Sequence, residues 1–207
     1  MAAKPATIPR KEASQGRSRA TVDALIEATA RILVRDGFDK ASTNRIAEAA
    51  GVSVGSLYQY FPGKEALVVA VIERHNREIM QVVREALAEV AAEPVAPATR
   101  KLVAAAVDAH RVDPKLHRVL AEQIPRTGAL ENVEAFNHET YGLFRAYLEA
   151  HRDELRAVDL DLAAFVCVTS IEALTHTAVL HRPESLSDEA AAVLVDEAAR
   201  LIVGYLV

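Results

Sequence analysis

One stretch decides the fold, and it has the sequence TNRIAEAAGVSVGSLYQYF over residues 43–61. Apolar residues at helical spacing lie on both sides of Gly51-Val52, and each side is only one or two turns long. Ser42 or Thr43 is suited to cap the first short helix, and Ser53 the second. Helices this short are not stable alone and must pack on a neighbour. The stretch therefore predicts two short helices joined by a tight, glycine-containing turn, which is the helix-turn-helix arrangement.

The flanking sequence predicts the neighbouring helices. Apolar residues recur at three- and four-residue spacing from Val22 to Leu33, so a first helix is expected from Arg19 to Gly37. A long helix is predicted from Lys64 to about residue 92, and later proline and glycine breaks predict about five more helices. No alternating β pattern is convincing. The predicted fold class is all-α, with an N-terminal three-helix helix-turn-helix domain and a C-terminal helical domain.

The charge distribution divides the chain in the same way. We expect a flexible basic arm at residues 1–18, a DNA-binding domain at 19–65 and a ligand-binding and dimerisation domain at 66–207. The net charge is −5, but residues 1–65 carry +3 and residues 66–207 carry −8. A basic end on an acidic body indicates that one end meets a polyanion, although a solvated, disordered tail would explain the basic arm equally well.

Composition bears on location and on chemistry. No stretch approaches the roughly 20 uninterrupted apolar residues that span a bilayer, and the first residues lack the apolar centre of a secretory signal. Cys167 is the only cysteine, which excludes an intrachain disulfide. We therefore expect a cytoplasmic protein with no membrane partner. The spacing of the histidines and the cysteine predicts no metal site, and no other cofactor is expected.

The outer face of the second short helix has groups suited to nucleic acid. If the two helices pack through Ile46, Ala47 and Leu57, that face is free to enter a major groove. Gly55 permits a close approach of the backbone to DNA. Hydroxyl and amide side chains at residues 56–60 supply hydrogen-bonding groups on the exposed turn.

These motifs together resemble the N-terminal signature of the tetracycline-repressor family of transcriptional regulators. The resemblance covers residues 43–47, 50–53, 55–61 and 64–67, together with Arg19-Ala20-Thr21 and Gly37-Phe38. The one mild departure is Pro62-Gly63 before Lys64. The resemblance implies a homodimer that binds a palindromic operator in double-stranded DNA and is released by a small-molecule inducer.

The resemblance also implies roles for single residues. Contacts to the DNA backbone are expected from Thr43, Ser53, Ser56, Tyr58, Tyr60 and Lys64. Base edges are expected to be read at Asn44, Val54, Gly55 and Gln59. Taken singly, the two tyrosines would be ordinary packing aromatics and Ser53 only a helix cap.

The last two helices are predicted to form the dimer interface. Residues 161–181 are apolar on nearly every side and residues 189–206 repeat this character, which is typical of helices buried on more than one face. Two such helices from each subunit would build a four-helix interface around a two-fold axis. A single intramolecular core is the alternative.

Polar and aromatic residues on otherwise apolar helices indicate an effector site. The candidates are His110, Gln123, Phe136, Phe144, Phe165, Glu172 and His176. A ligand is one possible partner for such buried polar groups. Glu172 and His176 share a helix face, and the alternative interpretation pairs them with each other, in or across the dimer interface.

Three functions follow from these features. A ligand-responsive repressor is favoured, and a DNA-binding protein that responds to no ligand is the alternative. A helical enzyme using Glu172 and His176 as acid and base is less favoured, because the sequence has no nucleophile elbow, phosphate loop or metal motif. We therefore expect a protein that is not an enzyme, whose inducer and operator the sequence leaves open.

Overall fold

The structure is a computed structural model that describes residues 16–127 and 130–207. Nine α-helices occur within these residues and no strand does, so the all-α prediction is confirmed. Their bounds are α1 Gly16–Asp36, α2 Thr43–Ala50, α3 Val54–Tyr60, α4 Lys64–Glu89, α5 Val95–Arg111, α6 Pro114–Thr127, α7 Leu130–Ala150, α8 Leu160–His181 and α9 Asp188–Leu206. Short 3-10 turns at Arg152–Glu154 and Pro183–Leu186 precede α8 and α9.

The start of α1 differs from the predicted end of the arm. Helix α1 begins at Gly16, so residues 16–18 are helical although the sequence places them in the arm. Helix ends are harder to place from sequence than helix interiors, because the terminal turn has fewer backbone hydrogen bonds to define it. The rest of the predicted arm, residues 1–15, lies outside the described residues.

The chain divides into two compact units. The first contains residues 1–75 and 115–132, and the second contains residues 76–114 and 133–207. The boundary falls within α4, and α6 belongs to the first unit. The structural units therefore differ from the functional division at residue 65, which remains a prediction.

The core of the first unit holds the two short helices in place. Ile46 of α2 and Leu57 of α3 are fully buried against Leu25 of α1 and Leu67 of α4, and Leu116 of α6 joins the same core. Burying one such side chain contributes about 1.5–3 kcal/mol. Packing with these neighbours, rather than intrinsic helix stability, therefore fixes α2 and α3.

Local signals set the ends of both short helices. The hydroxyl of Ser53 accepts a hydrogen bond from the backbone N–H of Ser56 at 3.0 Å, which caps α3 as predicted. Ser42 caps α2 by accepting from the N–H of Arg45. Gly51 ends α2 with a φ of 70°, in the left-handed region that favours glycine. These caps orient α3 relative to α2.

The second unit is built around α8. Ala163 and Cys167 of α8 are buried with Phe144 and Leu148 of α7, while the buried face of α5 packs against α9. Helix α8 is long and apolar enough to cross a membrane by length and composition alone, and 33% of its most apolar window is buried. Core and interface helices share this property, so it is weak evidence for a membrane.

We expect Gly51→Ala to lower the free energy of unfolding of the first unit by about 1–2 kcal/mol, the cost of a left-handed backbone for an L-residue. The control is Gly55→Ala, which places a Cβ 3.8 Å from the hydroxyl oxygen of Ser53, an ordinary contact within α3. Gly55→Ala should leave stability unchanged or raise it by up to about 1 kcal/mol. Urea unfolding followed by circular dichroism measures both, and equal stability of the two variants would contradict the role of Gly51.

Candidate nucleic-acid interface and effector site

The α2–α3 surface has most of the predicted DNA-contacting side chains at least partly exposed. Its exposed members are Asn44, Ser53, Gly55, Tyr58 and Gln59, and its partly exposed members are Thr43, Val54, Ser56 and Lys64. Tyr58 is 41% exposed, although its neighbour Leu57 on the inner side of the same helix is completely buried. The surface therefore combines hydroxyl, amide and backbone groups on one side of a compact unit.

Hydrogen bonds hold these side chains in defined positions. The hydroxyls of Thr43 and Tyr58 share a hydrogen bond of 3.1 Å, which joins the start of α2 to α3. The hydroxyls of Ser53 and Ser56 share another at 2.8 Å. A hydroxyl has one O–H, so the accepting hydroxyl of each pair can still donate to a phosphate oxygen, whereas the donating one can do so only if the pair opens.

Burial of Tyr60 limits the contact with the DNA backbone that the family resemblance implies for it. Its side chain is 8% exposed and belongs to the core of the first unit with Leu57 and Phe61. The ring is therefore a packing group, and any contact with a DNA backbone would have to be made by the hydroxyl. Tyr58 and Tyr60 are two residues apart on α3, so they lie on different sides of the helix.

Lys64 already has partners within the first unit. Its ammonium donates a hydrogen bond of 3.1 Å to the carbonyl of Phe38 and lies 4.1 Å from the centre of the Phe38 ring. These contacts tie the start of α4 to the loop after α1. Because an ammonium has three N–H groups, a phosphate contact is compatible with this position.

Arg45 is a positioning residue that sequence reasoning missed. Its guanidinium donates to the carboxylate of Asp36 at 2.6 Å and to the carbonyl of Lys40 at 2.8 Å. These contacts connect α2 to the end of α1 and to the loop between them. Asp36 also pairs with Arg35, and this hydrogen bond, together with the contacts of Arg45, lowers the pKa of the Asp36 carboxyl. A nine-residue spacing across a loop is not a recognisable sequence signal.

The effector candidates fall in both units. Gln123 is buried on α6 of the first unit. The other candidates lie in the second unit, where four of them take part in ring pairs. His110 and His176 meet edge to face with ring centroids 5.3 Å apart, Phe165 packs on Tyr141 at 5.8 Å, and Phe144 stacks with Tyr147 at 6.1 Å. Phe136 is partly buried on α7.

Glu172 and His176, which the alternative interpretation pairs with each other, form no hydrogen bond or ion pair with each other within one chain. His176 packs against His110 instead, and the Glu172 carboxylate makes no hydrogen bond or ion pair with the described residues. Burial raises the pKa of Glu172 and lowers the pKa of His110, and in both cases it disfavours the charged form. Pairing of Glu172 across a dimer interface stays a prediction.

Two further polar groups of the second unit were not singled out by sequence. The hydroxyl oxygen of Thr99, a fully buried residue of α5, and the side-chain oxygen of Asn137 have no hydrogen-bond partner among the described residues. Such groups are commonly satisfied by ordered water or a ligand. Burial raises the pKa of Cys167 to about 12, so its thiol stays protonated and is not a reactive group at neutral pH.

Comparison with protein families matches both parts of the chain. Residues 94–206 match the family described as "Tetracyclin repressor-like, C-terminal domain". Residues 25–71 match the family described as "Bacterial regulatory proteins, tetR family". The first match alone spans more than half of the chain.

The curated relatives match this chain in sequence over only part of its length. An uncharacterized HTH-type transcriptional regulator of Mycobacterium tuberculosis is 33% identical over 90 residues, which cover 44% of this chain and 43% of the relative. The HTH-type transcriptional activator FasR of Mycolicibacterium smegmatis is 40% identical over 63 residues, covering 30% and 29% of the two chains. These matches therefore span less than half the length of the relatives.

Solved structures share the fold over nearly the whole chain. A putative TetR-family regulator from Mesorhizobium loti has a TM-score of 0.77 at 18% identity and covers 93% of this chain and 99% of its own. FadR of Thermus thermophilus, solved in complex with lauroyl-CoA, has a TM-score of 0.63 at 17% identity and covers 90% and 95%. At these identities the likeness shows the fold alone.

We expect Glu172→Gln to raise the free energy of unfolding at pH 7–8. Because the folded-state pKa of Glu172 is raised, its contribution to stability is present below the unfolded pKa of about 4.3 and is lost as pH rises through the folded value. The gain from Glu172→Gln should therefore disappear as pH approaches 4, which urea unfolding across this pH range measures.

The control for this series is Glu134→Gln, which removes an exposed carboxylate on α7 and should change stability little at any pH. A loss of stability in Glu172→Gln at neutral pH would contradict an unpaired carboxylate. That result would instead favour an ion pair across a dimer interface.

Proposed function

The chain belongs to the tetracycline-repressor family of bacterial transcriptional regulators, and from this premise we propose that it is a dimeric, cytoplasmic repressor. In this proposal the dimer binds a palindromic operator in double-stranded DNA through α2 and α3. A small-molecule effector binds in the second unit and releases the DNA. The members of the family are transcriptional regulators, and we propose no enzymatic activity.

The exposed α2–α3 surface is the observation that carries this proposal. A major groove about 12 Å wide admits one α-helix, and α3 presents Gln59 and Gly55 on a side that the core leaves open. An amide such as that of Gln59 is suited to pair with the edge of an adenine. The hydroxyls of Thr43 on α2 and Tyr58 on α3 share one hydrogen bond, and the accepting member keeps its O–H for a phosphate oxygen.

The charge distribution also supports DNA binding through the N-terminal part of the chain. Residues 1–65 carry +3 while the remainder of the chain carries −8. An acidic body disfavours contact with a polyanion anywhere except at the basic end, so the field of the protein favours approach through that end. Such electrostatic attraction accounts for a salt-dependent, sequence-independent part of DNA affinity.

Exposed apolar side chains on α8 and α9 support a dimer. Leu162 and Phe165 of α8 and Val193 and Leu201 of α9 are each 51–59% exposed in the single chain. Val193 and Leu201 are eight residues apart, so they lie on one face of α9. Large apolar side chains grouped on neighbouring helices favour contact with a partner. We propose that a second copy of the chain covers them, with the two-fold axis that a palindrome requires.

The residues of the second unit support the effector site. The second unit contains aromatic side chains on α7 and α8, a buried Thr99 hydroxyl without a hydrogen-bond partner among the described residues, and a Glu172 carboxylate whose pKa is raised by burial. A ligand that presents both apolar and polar groups would satisfy them. A DNA-binding protein that responds to no ligand would have no need for these groups, and the effector hypothesis is favoured for that reason.

We expect Gln59→Ala and Tyr58→Phe to weaken operator binding in different ways. Loss of a base-reading amide should reduce discrimination between operator and mutated operator by about 1–3 kcal/mol. Loss of the Tyr58 hydroxyl, a group proposed to contact phosphate, should weaken binding to all sequences similarly. Fluorescence anisotropy with the DNA protected upstream of the protein's own gene measures both effects at several salt concentrations.

Gln81→Ala is the matched control, because it removes an exposed amide of α4 that hydrogen bonds to Glu85. It should leave affinity and discrimination unchanged. Absence of any protected DNA would refute the proposed function, whereas equal discrimination by Gln59→Ala and the unmodified protein would refute only the role of Gln59.

We also expect Leu201→Glu to raise the dimer dissociation constant at least about tenfold, since one buried charge at an apolar interface costs more than 1.4 kcal/mol. The control is Val112→Glu, because Val112 is 86% exposed between α5 and α6 and lies outside the proposed interface. Sedimentation velocity over a range of concentrations compares the two. Dimerisation that is unchanged in Leu201→Glu would move the interface away from this face of α9.

A further inference from the structure

We propose that His110 and His176 of the second unit together bind a divalent transition-metal ion, of which Zn²⁺ is the representative. This site goes beyond the regulatory function proposed above. The two residues come from α5 and α8, and each offers a ring nitrogen within 4.8 Å of the other. Imidazole nitrogen is a preferred ligand of zinc, nickel and copper ions.

A backbone hydrogen bond orients His110 as a ligand. Its Nδ1 lies 2.7 Å from the carbonyl oxygen of Ala106, and a carbonyl only accepts, so Nδ1 carries the proton. The lone pair of the neutral ring is therefore on Nε2. Metal-binding histidines typically donate their other N–H to a carbonyl or carboxylate in this way, which fixes both the tautomer and the plane of the ring.

The two histidine rings are already close to the separation that a shared metal ion requires. The His110 and His176 centroids are 5.3 Å apart and the rings meet at 63°. With zinc–nitrogen distances of about 2.0–2.1 Å, two nitrogens on a tetrahedral ion are about 3.4 Å apart. His110 is buried and anchored, whereas His176 is only partly buried. Because the two ring nitrogens already lie within 4.8 Å of each other, a movement of about 1.4 Å or less brings them to this separation.

Glu172 is a source of negative charge on the same helix as His176. It lies one turn before His176 on the same face of α8, and its partly buried carboxylate has no ion pair among the described residues. A buried carboxylate without a cationic partner is costly, and a divalent ion held by the two histidines would reduce that cost. Two histidine ligands leave further coordination positions for water or for donor atoms of a bound small molecule.

Metal binding by the full chain, prepared without a histidine tag, tests the site directly. Zn²⁺ is titrated against a chromophoric chelator, and Cu²⁺ is used as a spectroscopic probe for nitrogen ligands by electron paramagnetic resonance. We expect His110→Ala and His176→Ala each to weaken one binding step at least about tenfold. In either variant the copper spectrum should lose the hyperfine coupling to one imidazole nitrogen.

The control is His181→Ala, which removes an exposed histidine at the end of the same helix and should leave this step and its spectrum unchanged. Circular dichroism verifies folding, and His176→Ala decides the outcome if the buried His110 proves necessary for folding. Equal metal affinity in His176→Ala and the unmodified protein, or a copper spectrum unaffected by that change, would overturn the proposal. The assay contains no DNA, so its failure would leave the proposed function untouched.

Discussion

The burial of Ile46 and Leu57 against α1 is the interaction on which the rest of the first unit depends. Helices α2 and α3 have eight and seven residues, too few to be stable in water without packing. The side chains of Ile46 and Leu57 are completely buried, so each helix is held in place by the side that faces the core. The remaining face is left to polar residues such as Gln59. Structure and proposed DNA recognition thus depend on the same division of a short helix into two sides.

Helix α8 has a comparable role in the second unit, because it has apolar residues on nearly every side. Cys167 and Ala163 face the core with α7, whereas Phe165 and Leu162 are exposed. The imidazole of His176 is a polar group among the apolar side chains of α8, at the point where α8 contacts His110 of α5. One helix therefore contributes to the core, to the proposed dimer interface and to the proposed metal site, and a substitution in it should be assessed against all three.

Sequence reasoning was most informative where side chains act within a turn of their own helix. The caps by Ser53 and Gly51 were both predicted, and the structure has them in the expected geometry. Sequence reasoning was less informative for Lys64 and Tyr60. The family resemblance implies DNA contacts for both residues but does not indicate how they pack within the protein. Lys64 binds the Phe38 carbonyl and Tyr60 lies in the core, because the loop after α1 and the start of α4 meet there.

The sequence by itself determined the all-α class, the helix-turn-helix and the family, because these depend on local periodicity, capping groups and a compact motif. Only the tertiary structure decided which distant side chains meet. Glu172 and His176 share a helix face, yet His176 meets His110, 66 residues earlier in the chain. Arg45 reaches Asp36 across a loop in the same way. Such contacts depend on how the helices pack. The spacing of residues along one helix does not indicate which side of a second helix it will contact.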